Sequence, residues 1–169
     1  MSTLKVNQIT DISGVVRRGI QTYAIISDQK TQNTDGGTFS SGAWRTRDLN
    51  TEVTDPDGIV SIASNQFTLG AGTYLIVASA TAFRVSDHMV KLYNATSSSD
   101  VAFGTSGHSQ DTNGRVHDTS IVKCRVTITG STTFEIQHRG EDTKSDNGFG
   151  HSTNFGPETY TVVEIYKEA

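Results

Sequence analysis

The run Gly70-Ala71-Gly72-Thr73-Tyr74-Leu75-Ile76-Val77-Ala78-Ser79-Ala80-Thr81-Ala82-Phe83 is a tight glycine turn followed by the longest apolar segment in the chain. A continuous apolar run of this kind, bounded by turn residues, reads as a central strand. Working outward, Gln66-Phe67-Thr68-Leu69 and Ile59-Val60-Ser61-Ile62 read as short strands before it. Asp55-Pro56-Asp57-Gly58 is a turn, since proline presets φ and glycine accepts a positive φ. Ala43 to Leu49 alternates as a further strand, and Tyr23 to Ile26 is a short apolar run. On the other side, His88 to Asn94, Val101 to Phe103, Arg115 to Ile128, Thr132 to His138 and Glu158 to Lys167 all carry strand patterns. Polar loops at 29–42, 95–114 and 140–157 separate them. No segment reads as a helix and there is no internal repeat. The expectation is an all-β, antiparallel jelly-roll sandwich over residues 21–169, preceded by a short extended arm over residues 1–20.

The 169 residues are enough for one core. Mean hydropathy is −0.38 and 16 residues are glycine, which suits a turn-rich β protein and not a disordered chain. A net charge of −4 and a pI near 5.7 leave no basic field for nucleic acid. No stretch reaches the length of a membrane span, and the N-terminus lacks the apolar core of a signal peptide. If the protein acts outside a cell, the expected route is one other than secretion, and assembly into a particle with release by lysis fits that constraint. The single cysteine, Cys124, shares a strand face with Val122 and Val126, as a small buried hydrophobe would.

In the arm, Leu4, Val6, Ile9 and Ile12 are the residues placed to anchor it to a partner. In the last strand, Tyr160, Val162, Glu164 and Tyr166 alternate with Thr161, Val163 and Ile165, so both faces are largely apolar. One face can fill the core. The other calls for a second copy of the chain, and a homotrimer is expected. Trp44 reads as a core-edge residue. Arg45 and Arg47 fall on the opposite side of their strand, either solvated or pairing across the subunit interface with Glu164.

A search for chemistry yields no catalytic group, no metal site and no cofactor. The five histidines form no H-x-x-x-H or H-E-x-x-H spacing, and none sits beside a cysteine at zinc spacing. His138 alternates with Phe134 and Ile136 and is placed at the inward end of a strand. The Asp55 loop lacks the closing glutamate of a calcium site. Paired carboxylates for glycan cleavage are a remote alternative, because their separation is spatial. The polar loops, by contrast, present isolated aromatics and histidines suited to a glycan or receptor: Phe39, Phe103, His108, Phe149, His151 and Phe155.

Phe67 to Ala80, with its Gly72-Thr73-Tyr74 strand start, followed by Lys91-Leu92-Tyr93-Asn94 and closed by Tyr160 to Tyr166, resembles the complement and tumour-necrosis-factor type jelly rolls. The chain is also similar to small phage structural proteins of tail-fibre type. That likeness rests on Ser41 to Asn50, Phe134 to His138, the Tyr160-Thr161-Val162-Val163-Glu164-Ile165 ending and the opening Met1 to Ile9. It implies a trimeric structural or host-contacting protein on the virion surface, in tail or capsid, held to other virion proteins through residues 1–20. Lacking a coiled-coil or repetitive shaft, the chain would be a knob, or else a decoration protein that stabilises the particle.

Overall fold

The computed structural model describes residues 22–109 and 116–168, with the backbone of two short strands nearer the N-terminus, β1 (Ile9–Thr10) and β2 (Val16–Arg17). These two pair antiparallel, Ile9 opposite Arg17. The anchoring expectation for Leu4, Val6 and Ile12, and for the Ile9 side chain, lies outside the described residues.

Two antiparallel sheets make the sandwich. The first has five strands in the order β12 (His117–Ile128), β8 (Gly72–Phe83), β14 (Glu158–Lys167), β3 (Tyr23–Lys30) and β5 (Thr51–Thr54). The second runs β10 (Ser99–Phe103), β9 (Ser86–Asn94), β13 (Thr132–Gly140), β7 (Gln66–Leu69) and β6 (Val60–Ala63). Strand β11 (Gly107–Ser109) adds to β9 and the two-residue β4 (Arg45–Thr46) adds to β13. The described residues contain no helix. The long apolar run is indeed central: β8 pairs along its length with β12 and on its other side with β14.

Alternation decides what lies between the sheets. Tyr74, Ile76, Ala78, Ala80 and Ala82 of β8 are buried, with Val163 and Ile165 of β14 and Ala24 and Ile26 of β3 beside them. Across the gap, Phe67, Phe134, Ile136, Val90 and Leu92 close the core, the Phe67 and Phe134 rings stacked at 5.6 Å. Where β8 offers only alanines, larger side chains from elsewhere fill the space, among them Phe39, Arg47 and His138. The hairpin from β6 to β7 turns on Ser64 and Asn65, both at positive φ as a type I′ turn requires. The Asp55 loop is a turn as expected: its carboxylate accepts the Ile59 and Val60 amides at 2.9 Å, and Gly58 takes φ 63°.

The strand pairing gives the domain two distinct ends. Tyr23, Lys167 and Gly72 meet at one, here termed the base, where the chain enters from residues 1–21. Lys30, Glu158, Phe83 and His117 meet at the other, the tip, from which the loops after β3, β8 and β13 extend.

Candidate functional site

The outer face of the five-stranded sheet is the first candidate. Register places Tyr166 beside Tyr23 and Leu75, Glu164 beside Ile25 and Val77, and Val162 beside Ser27 and Ser79. Leu75 is 41% exposed, and the Tyr23 and Tyr166 rings stack at 6.5 Å. Tyr166 donates its hydroxyl to Glu164 Oε2 at 2.6 Å, a bond that raises its phenol pKa. The face thus mixes apolar side chains with charge. Glu164 lies on one side of Val77 and Lys123 on the other, and Arg125, beside Leu75, pairs with Glu168 at 2.7 Å. Val162, Glu164 and Tyr166 share this face, as the alternation of β14 suggested.

Tyr160 does not belong to it. The ladder to β3 skips from Thr159 to Thr161, and this bulge turns Tyr160 into the protein, where its hydroxyl donates to the Thr34 carbonyl at 2.7 Å. Burial pushes its pKa up. Arg47 is a second correction. Only Arg45 and Thr46 pair as strand, after which the chain turns into the sandwich and buries Arg47 completely. Its guanidinium donates to Thr161 Oγ1 (2.9 Å) and to the carbonyls of Thr81 (3.1 Å), Phe149 (2.9 Å) and Tyr160 (3.2 Å), so it cannot reach a partner subunit. Burial lowers its pKa to about 10. Arg45 is exposed but sits on the other sheet, donating to the Ser40 and Ser41 carbonyls of its own chain.

The second candidate is an open groove of about 960 Å³ at the tip, between the 40–44 turn and β11. Trp44, Asp87, His108, Asp118, Arg139 and Glu141 line it. Beneath the lining, His88 Nδ1 and His138 Nε2 share a hydrogen bond of 3.0 Å, and His88 Nε2 lies 3.3 Å from Asp118 Oδ2. A lone pair facing that carboxylate would be repelled, so His88 carries its proton on Nε2 and His138 donates from Nε2. Burial lowers both pKa values, that of His138 well below the ordinary histidine value. Gly107 permits the arrangement, since a Cβ there would collide with Asp118 Oδ2 and come within 2.8 Å of His88 Nε2. Beside the groove, Lys91 is buried under aromatic rings, its Nζ 4.4 Å from the Trp44 centroid and 5.2 Å from that of Tyr93, and it pairs with Asp100.

The loop residues singled out in the sequence divide into three groups. Phe39 is fully buried and packs on His138 and Phe149, while Phe149 is half-buried with Arg47 4.2 Å above its ring. Both are corrections, for the second core cluster needs them. Phe103 (58% exposed) and His108 stand at or beside the groove, His108 Nδ1 at 2.7 Å from Asp87 Oδ1 and the Phe103 ring 5.9 Å from Trp44. At the same end, His151 pairs with Asp35 at 3.0 Å and Phe155 is 94% exposed. The Phe155 loop is firmly held: the Glu158 carboxylate accepts the Asn154 amide (2.7 Å) and both the amide and hydroxyl of Thr153 (3.1 Å). Those amide donors hold the Glu158 carboxyl below its usual range. Sequence reasoning missed Asp87, Asp118 and Arg139, whose approach depends on pairing between distant segments.

No protein family matches the chain by sequence, and no curated protein does either. Solved structures do match. The globular domain of zebrafish complement 1qA aligns over 88% of this chain and 98% of that one, with a TM-score of 0.56 and 12% identity. Eiger, a tumour necrosis factor from S. frugiperda, covers 89% and 94% with a TM-score of 0.60 and 10% identity. Murine APRIL at pH 5.0 covers 86% and 98% with a TM-score of 0.55 and 5% identity. The fold is the jelly roll of the tumour-necrosis-factor and complement 1q type, as the Phe67–Ala80 and Tyr160–Tyr166 segments suggested.

Proposed function

We propose that this chain is a non-catalytic, homotrimeric knob displayed on the surface of a virus particle, held by residues 1–20 and turned towards a host-surface glycan at its tip. The observation that carries this reading is the division of labour between the two ends and the sheet face. The N-terminal segment joins the domain at the base, beside Tyr23. The braced Phe155 loop and the groove occupy the tip, 94% of the Phe155 side being open. Between them, the outer face around Leu75, Val77, Val162 and Tyr166 offers apolar side chains to further copies. The likeness to phage virion proteins seen in the sequence supports the setting.

Light scattering on the full chain and on a chain lacking residues 1–20 tests it. A trimer in both is expected, with the interface in the jelly roll and the N-terminal segment left for attachment. Monomers in both would overturn the trimer.

A further inference from the structure

We propose that the tip groove is a binding site for a neutral, hydroxyl-rich saccharide. Its volume of about 960 Å³ lies at the upper end of the range of roughly 300–1,000 Å³ typical of ligand clefts, room for a short oligosaccharide. Three features of its chemistry select the ligand. Trp44 offers indole surface for the apolar face of a pyranose ring. Asp87, Asp118 and Glu141 are acceptors of the kind that take paired sugar hydroxyls, and Arg139 supplies fork-shaped donors opposite them. Three carboxylates against one guanidinium make the groove acidic, which disfavours sialic or uronic acids.

The walls are preformed. Asp118 Oδ2 accepts the His108 amide at 2.8 Å, and His108 Nδ1 engages Asp87, so β11 ties together the carboxylates of β9 and β12 before a ligand arrives. Lys91 beneath Trp44 holds the indole from behind, and Phe103 flanks it. A site organised in this way spends little on ordering itself.

The proposal rests on the display reading only for the sugar being one on a host surface. The chain has a single tryptophan, so its fluorescence reports the groove directly. Titration of the full-length protein with maltotriose, mannotriose and galactotriose should give a saturable change in Trp44 emission for at least one, in the millimolar range, and a weaker response to sialyllactose. Asp87→Asn and Glu141→Gln should each weaken the response about tenfold or more with an unchanged melting temperature, because both side chains project from the surface. Phe155→Ala should leave it unaltered. No saturable change with any neutral sugar, tighter binding of sialyllactose, or titrations indifferent to both substitutions would overturn the groove as a saccharide site. The oligomer is measured on a different face: a monomer that still titrates removes the trimeric knob and leaves the groove, whereas a trimer that does not titrate does the reverse.

Discussion

Arg47 donates four hydrogen bonds from inside the sandwich, three of them to carbonyls on β8, β14 and the loop at 149. Replacing it with methionine strips the Thr81 carbonyl of its guanidinium donor and leaves the Phe149 and Tyr160 carbonyls to share the one hydroxyl of Thr81, at about 1–3 kcal/mol for each buried bond lost. We expect Arg47→Met to cost at least about 3 kcal/mol by urea denaturation, and a loss below about 1 kcal/mol would show that water takes its place. Phe155 is the opposite case. Its ring is exposed and its loop is braced by backbone and Glu158, so Phe155→Ala should shift stability by no more than about 0.5 kcal/mol. Residue patterning could not separate these two. Arg47 alternates with Thr46 as an outward residue would, and only the end of the β4 ladder after two residues sends it inward. The loop position of Phe155 made it readable. Phe39 and Phe149 looked the same in sequence, yet they are claimed by the core because the alanines of β8 leave space there.

Among the elements, β8 and β14 were the most readable, since a long β-branched and apolar stretch bounded by turn residues has the length and period of a strand and not of a helix. The bulge at Tyr160 was not, because one skipped pairing leaves no mark in composition. On the outer face, Leu75→Glu should dissociate the proposed trimer into folded monomers, seen as a threefold fall in scattering mass with unchanged circular dichroism. An unchanged mass would place the interface elsewhere. The β6–β7 hairpin makes a separate prediction. Asn65 combines a left-handed backbone with a side chain that accepts the Leu49 amide (3.3 Å) and donates to Asp48 (3.1 Å). Asn65→Ala should cost about 1–2 kcal/mol in a thermal melt. The groove, by contrast, was invisible at this scale, being assembled from the 40–44 turn and parts of β9, β11, β12 and β13.

Across the whole molecule, three histidines set an acid limit. Burial lowers the pKa of His88, His117 and His138 below the ordinary value near 6.5. The unfolded chain therefore binds protons below that pH that the folded one refuses, at about 1.4 kcal/mol per proton per pH unit. Stability should be full above about pH 6.5 and decline as the pH falls towards about 5, with the urea midpoint following it. A midpoint flat over that interval would mean that the imidazoles charge in place. The placement of base and tip also has a mechanical side. A tether leaving at Tyr23 and a grip near Phe155 would pull β3 along its own axis, held between β14 and β5. The ladder bonds lie across that pull. They would be sheared together and share the load, whereas a domain anchored and gripped at one end of the same pair would peel open bond by bond.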